Sequence, residues 1–347
     1  MGNQLNLRDM QARDVVMDMA RILKVDFHED NNEICIDIPD TLGSGYIKAI
    51  TFDFGLGVLE VDCKLNQTVE LSLDNDLVQP LKMIFNREAA FEHRFAEIEE
   101  KHNIEHLENA ILSCNGKHAH IFKIPANEPI CMLSLEINRK LFEKKIEAFL
   151  SEMDENLEQL FKDVNGINLF YYKSYYSLEI AKFLEEFTDC DLSGFMRSVY
   201  LEGKAYEILT EQLKQYLDDL NDPGTRKILR QSTVNKIKEA ANIIREEIDN
   251  VPNILALSHR VGLNQNTLQN GFNILYKTSV NQFVKNERIE LAKELLETSD
   301  LNVTQVTYKI GINSRSYFSK LFKERYGVSP KAYADKARKA KRKIKSA

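Results

Sequence analysis

The 347-residue sequence predicts a mixed, multidomain chain: a β-rich N-terminal part, a helical extension, and an all-α C-terminal third built on a repeat. Three observations carry that expectation. Short runs that alternate apolar with polar residues crowd residues 33–137. From Asn138 onward the apolar spacing changes to three- and four-residue steps. Two stretches near the end can then be laid on one another almost residue for residue.

The β-like runs are EICIDI (Glu33–Ile38), YIKAITFDF (Tyr46–Phe54), GVLEVDCKL (Gly57–Leu65), TVELSL (Thr68–Leu73), LKMIFN (Leu81–Asn86), HAHIFKI (His118–Ile124) and ICMLSLEI (Ile130–Ile137). Gly, Pro, Asn and Asp punctuate them, as expected of a sandwich or small barrel. In the helical part, Leu141, Ile146, Phe149 and Leu150 form one apolar face. Further on, Leu201, Ala205, Ile208, Leu209, Leu213, Tyr216, Leu217 and Leu220 make a longer stripe. That stripe either packs on its own domain or forms a dimer seam. Asn221-Asp222-Pro223-Gly224 reads as a turn and linker.

Charge divides the chain in the same way. The formal net charge is -7, yet residues 231–347 hold a surplus of about ten positive charges. An acidic body with a basic C-terminal third suits a nucleic-acid-binding module joined to a part with another task. No run approaches the length of a membrane span, and the N-terminus has no signal-like apolar core, so a cytoplasmic protein is expected. Asn6 stands where a myristoylation signal would place Ser or Thr. Cys35, Cys63, Cys114, Cys131 and Cys190 are scattered and read as buried reduced thiols.

The repeat pairs NILALSHRVGLNQNTLQNGFNILYKTSV (Asn253–Val280) with NVTQVTYKIGINSRSYFSKLFKERYGVSP (Asn302–Pro330). Asn253 and Asn302 are placed to cap a first helix, with Gln305 completing a capping box. Gly262 and Gly311 sit where that helix must stop and turn through left-handed backbone. Asn264 and Ser314 then cap a second helix. Leu257, Val261, Leu268 and Phe272 should form one core, and Val306, Ile310, Phe318 and Phe322 the other. Gly327 ends the last helix, and Pro330 follows where the chain should leave it.

Left on the outer face of the second helices are Gln265, Asn266, Gln269 and Asn270 in the first copy, and Arg315, Ser316, Ser319 and Lys320 in the other. Singly these are ordinary solvated positions. Two copies in register point instead to helices entering major grooves, where Gln and Asn can pair with adenine and Arg with guanine. Ser279–Thr298, with Val280, Phe283, Val284, Leu291, Ala292, Leu295 and Leu296 on one stripe, should be a single connecting helix. At 1.5 Å per residue its span is about 30 Å, close to the roughly 34 Å between successive major grooves on one DNA face. The expected partner is therefore double-stranded promoter DNA.

At these residues the sequence resembles the AraC/XylS family of transcription regulators, over a region from near Val234 to near Lys336. The markers are Leu268-Gln269 with Phe272, the spacing Arg288-x-x-x-Ala292-x-x-x-Leu296, Gly311-Ile312 with Tyr317-Phe318-Ser319, and Phe322-Lys323 with Gly327-Val328-Ser329-Pro330. The resemblance implies a seven-helix DNA-binding domain that acts mainly as an activator through RNA polymerase. Departures are Ser258 and Thr307 for Ala, Ile312 for Phe, Lys277 for Gly and Asn270 for Arg. Asn270-Gly271-Phe272, GSGYIKAITFDFGLGVLEVD from Gly43 and LEGKAYEIL from Leu201 further resemble the ferric-pyochelin regulator subgroup. By analogy, that implies a cupin-like sensor for a small effector, siderophore-like in kind. A homodimer is expected through the helical extension. The domains expected are 1–137 as a β-rich cupin-like sensor, 138–222 as a helical dimerisation region, 231–336 as the AraC-type double helix-turn-helix domain, and 337–347 as a basic tail.

Other chemistry has little foothold. No phosphate-binding loop, nucleophile elbow or zincin motif is present, so no enzyme and no cofactor are expected. His118-x-His120 in a strand would present both imidazoles to one side, a spacing compatible with a cupin metal site if Glu128 or Glu136 joined them. With His102 and His106, surface or loop positions are the default for these histidines, and His259 should face solvent or phosphate. The aromatic cluster Phe170-Tyr171-Tyr172 with Tyr175-Tyr176 reads as helix-packing or loop core. A metal-dependent cupin, or a repair protein using a cysteine, fused to the DNA-binding unit is the rival class. A constitutive regulator whose barrel serves only to dimerise is the third reading.

Overall fold

The computed structural model describes residues 4–8, 11–74, 80–114, 118–165, 167–222, 225–299 and 301–336. Its contacts divide the chain into two units, Met1–Ile228 and Leu229–Ala347. Pro223-Gly224 of the expected linker and the expected basic tail, 337–347, lie outside the described residues.

Unit 1 is built on two sheets. The smaller has the order β1 (Gln4–Arg8), β6 (Val69–Asp74), β11 (His120–Ile124), β8 (Phe91–Phe95) and β9 (His102–Ile104). The larger runs β13 (Phe170–Tyr175), β10 (Glu108–Ser113), β7 (Leu81–Asn86), β12 (Pro129–Ile137), β5 (Leu56–Leu65), β4 (Gly43–Thr51), β3 (Glu33–Asp37) and β2 (His28–Asp30). Among the described residues β1 and β6 pair in parallel, and the other pairs are antiparallel.

Between the sheets, alternate residues meet in one core that includes Ile47, Leu59, Val61, Ile84, Leu112, Phe122 and Met132. Helix α1 (Ala12–Leu23) joins it through Ala12, Val15, Val16, Met19 and Ala20, spaced at three and four residues as one helix face requires. This helix was not expected from the sequence, nor were β1, β2, β8, β9, β10 and β13.

The strand β13 corrects the all-helical reading of 138–222. Its aromatic residues pair with β10 in register, Tyr171 opposite Leu112 and Tyr175 opposite Glu108. Around it lie α2 (Arg139–Ile146), α3 (Glu155–Lys162), α4 (Leu178–Thr188) and the long α5 (Gly194–Asn221). Helix α5 buries Leu201, Ala205, Ile208, Leu209 and Tyr216, and the Tyr216 ring stands edge-on to Tyr172 of β13 at 5.1 Å. Most of the stripe that offered a dimer seam is thus spent inside its own unit. Only Leu220, at its end, is exposed, with Leu213 and Leu217 half-buried. All five cysteines are free thiols.

In unit 2, α6 (Thr225–Glu246) is followed by α7 (Ile254–Arg260), α8 (Gln265–Tyr276), α9 (Val280–Thr298), α10 (Val303–Lys309) and α11 (Arg315–Tyr326), with a further helical stretch at 330–336. Pro330 follows the exit from α11, as expected, and also opens that last stretch. Ser329 caps it by accepting from the Ala332 N–H at 3.3 Å, and a proline in the first turn has no N–H to leave unpaired.

Candidate nucleic-acid interface

Each second helix is positioned by the same devices. The Asn253 side chain accepts from the Ala256 N–H at 2.9 Å. In the other copy Asn302 and Gln305 exchange two bonds, both 2.9 Å, as a full capping box. Gly262 and Gly311 are left-handed, at φ 65° and 71°, and let the chain turn within a few residues into α8 and α11. Asn264 and Ser314 then cap those helices through the N–H groups of Thr267 and Tyr317.

Packing fixes the outward face. Leu257, Val261, Leu268 and Phe272 are buried, as are Val306, Ile310, Phe318 and Phe322. Helix α9 serves both cores. Near its start Phe283 meets the rings of Phe272 and Tyr276 at 5.2 and 4.7 Å. Further along, Ile289, Ala292 and Leu296 enter the cluster with Val306, Ile310, Phe318 and Phe322. The expected stripe omitted Ile289, which is buried; Val284, Leu291 and Leu295 are only half-buried.

With those faces committed, Gln265, Asn266, Asn270, Arg315, Ser316 and Lys320 are exposed, while Gln269 and Ser319 are half-buried beside them. Gln265, Asn266 and Asn270 share an open concavity with Leu255, His259 and Gly262. His259 is exposed, as is Tyr308 at the matching place on α10. Tyr308 was not among the expected site residues. The repeat itself would have found it, since both residues sit three positions before the turn glycine.

Two departures from the family pattern, Ser258 and Thr307, have local explanations. Ser258 and Thr307 are buried, and each hydroxyl donates to a carbonyl of its own helix, Leu255 at 2.9 Å and Val303 at 2.7 Å. Lys277 is left-handed at φ 52° where Gly327 holds φ 74° in the other copy. Gly271 lies against α6, where a Cβ would come within 2.1 Å of Ile237 Cδ1.

The histidines of unit 1 differ from expectation. His118 lies in a bend ahead of β11, so it does not share a strand face with His120. His120 is fully buried, far from the surface default, as is His93, whose Nε2 lies 3.1 Å from His120 Nδ1. Burial pushes the His93 imidazole down to about 3, helped by neighbouring His102 and Lys82 charge, and lowers His120 in the same way. Both are neutral at pH 7. Glu128 is exposed, whereas Glu136 is buried against Lys82. Among the described residues no three His, Cys, Asp or Glu side chains are grouped to hold a metal. Nor is any helix there long and apolar enough to cross a membrane.

Two family models match the chain. Residues 257–336 fit a helix-turn-helix domain, and residues 45–228, more than half of the chain, fit the N-terminal domain of the regulatory protein PchR. The chain belongs to the AraC/XylS family of regulators, in its PchR-like branch. It carries the AraC-type helix-turn-helix DNA-binding domain of these transcriptional regulators. Among relatives of this AraC/XylS protein, histidine kinase P4 of Formosa agariphila is 31% identical over 101 residues, covering 29% of this chain and 7% of that protein. The arabinose operon regulatory protein of Escherichia coli is 27% identical over 135 residues, covering 39% of this chain and 44% of its own. The regulator ExsA of Pseudomonas aeruginosa is 24% identical over 108 residues, covering 31% and 39%. The chain thus spans less than half the length of these curated relatives. Of solved structures, the DNA-binding domain of AdpA with a target DNA shares 26% identity over 30% of this chain and 94% of that one, at a TM-score of 0.29. An apo form of ToxT from Vibrio cholerae shares 15% over 81% of this chain and 97% of that one, at 0.33.

Proposed function

We propose that this regulator is a cytoplasmic homodimer that activates transcription, reading promoter DNA with α8 and α11 and answering to a small molecule held by its N-terminal unit. Gln265, Asn266, Gln269 and Asn270 read one groove; Arg315, Ser316, Ser319 and Lys320 read the next. The carrying observation is that matched caps, glycine turns and buried faces leave these polar residues outermost on two helices that share α9. Helix α9 has 19 residues, about 28 Å at the usual rise, within reach of the spacing between successive grooves.

Residues 231–336 form the DNA-binding domain, 1–137 a cupin-like sensor, and 138–222 the extension through which two copies meet. Phe195, Met196 and Val199 support that seam, since they are exposed together on the first turns of α5. The likeness to the PchR N-terminal domain supports a small-molecule effector, siderophore-like by that likeness alone. Output follows from contact with RNA polymerase and requires no covalent chemistry.

The test is equilibrium binding of the full-length chain to its operator at several salt concentrations. A steep fall of affinity with salt is expected, because cations on the protein displace those condensed on DNA. A flat dependence would remove phosphate-anchored recognition.

A further inference from the structure

Across the two reading helices the repeat matches Gln265 with Arg315, Asn266 with Ser316, Gln269 with Ser319 and Asn270 with Lys320. Three observations on the first copy bear on what it can recognise.

First, the four amides of α8 form two pairs, Gln265 with Gln269 and Asn266 with Asn270. Residues four apart are neighbours on a helix surface. The rise within a pair is about 6 Å, close to two base-pair steps of about 3.4 Å each.

Second, these amides are uncommitted. Among the described residues, none of the four side chains makes a hydrogen bond within the protein. Asn264, one position earlier, is the amide used for structure, capping α8 through the Thr267 N–H at 2.8 Å.

Third, α8 brings no charge of its own. Arg260 on the preceding helix is engaged too, giving both terminal nitrogens to Glu247 at 2.8 and 2.7 Å. At the matching place in the second copy Lys309 is exposed and makes no ion pair among the described residues.

The chemistry of the amide then selects the base. A carboxamide accepts through its oxygen and donates through its NH2. In the major groove only adenine sets one donor, N6–H, beside one acceptor, N7. Guanine shows two acceptors there, cytosine a lone donor and thymine a lone acceptor. An uncharged helix gains little from phosphates, so its amides pair fully on adenine alone. Thymine holds one N6 hydrogen of a paired adenine, and the other faces the groove. A methyl group on N6 takes that groove-facing place, removing the donor and obstructing the amide at once. Arg315 and Lys320 lose nothing to such a mark, because guanine N7 and O6 and the phosphates are unchanged.

We propose that α8 reads adenines through N6 and N7, so that N6-methylation of adenine in its half of the operator weakens binding, while the half read by α11 is indifferent to the mark. The proposal rests on the reading of α8 and α11 as DNA-binding helices. It adds the base, the side chains that select it and a chemical signal carried by the DNA. That signal acts on unit 2 directly and needs no ligand in unit 1.

The test begins with selection by the full-length chain from randomised, unmethylated duplexes. The wild type should select adenines in one half of the site and guanine in the other. A Gln265→Ala/Asn266→Ala variant should lose only the adenine preference. Both residues are exposed and alanine favours a helix, so the variant keeps its fold. N6-methyladenine built into the adenine half should weaken wild-type binding about tenfold for each base recognised, and leave the variant nearly unaffected. In the other half it should change neither protein's affinity. A site without adenine in the half that the variant alters, equal wild-type affinity for methylated and unmethylated duplexes, or equal effects from the two halves would each overturn the proposal while keeping unit 2 as a DNA reader. Failure of the wild type to select any sequence would defeat that reading and the proposal together.

Discussion

None of the twelve residues of α8 is charged, whereas α11 carries Arg315, Lys320, Lys323 and Arg325 against one acid, Glu324. Yet the helices are capped, turned and packed alike. The contrast teaches that fold and electrostatics are set by separate residues in this repeat. Buried positions preserve the frame in both copies, and exposed positions give phosphate attraction to the second while the first keeps neutral amides suited to base edges.

The glycine turns should separate the copies most sharply. A Cβ on Gly311 would meet the Asp249 carbonyl oxygen at 2.3 Å, while one on Gly262 finds nothing nearer than the flexible Lys236 tip at 3.6 Å. Gly311→Ala should therefore cost about 3 kcal/mol or more, from left-handed strain plus a backbone clash. Gly262→Ala should cost about 1 kcal/mol, from strain alone. The urea concentration at which operator binding is lost measures both, and equal effects would undo the contrast.

Next in size come the exposed cations. Arg315→Ala and Lys320→Ala should each weaken operator binding by about 1–3 kcal/mol and reduce the salt slope by about one where they hold phosphates. Gln265→Ala and Asn266→Ala should relax sequence preference and leave the slope unchanged. Titrations at several salt concentrations distinguish the two, and a slope change from the amides would show that the first unit also anchors phosphates.

Gly271→Ala in the first copy should cost about 1–2 kcal/mol through its approach to Ile237, partly offset by better helix propensity. Combined with Ile237→Val, most of that loss should return, and a double-mutant cycle measures the coupling. Smallest of all, Lys277→Gly should gain about 0.5 kcal/mol by giving the first copy the left-handed residue that the second already has. Its readout is a small rise in the same urea midpoint, and a fall would mean that the lysine side chain stabilises the turn by contacts that offset its strain.

Unit 2 was almost wholly legible because its signals are local. Asn253, Asn302, Gly311 and the Phe272 and Phe322 pair act within a few residues of themselves, and a second copy corroborates each. Unit 1 hid more. Strand β10 is buried at all six positions and loses the alternation that betrays a strand. Interior polar residues misled in the same way. Lys82, His93 and Glu136 occupy inward positions on their strands, where a pattern of apolar-in and polar-out assigns them to water. Their partners lie on strands far away in sequence, which no local reading connects. The α5 stripe is visible in the sequence, but not the surface it covers, because nothing local marks the aromatic run of β13 as a strand.

Arg288 Nε donates to the Ile248 carbonyl at 3.1 Å, and its guanidinium borders the Gly311 turn as well. One side chain thus ties the loop after α6 to the midpoint of α9 and to the second copy's corner. Such a cross-brace makes the C-terminal unit a ruler rather than a pair of beads on a string. An operator with one base pair inserted between its half-sites would turn the second groove by about a tenth of a helical revolution, and a stiff ruler has no slack with which to follow it.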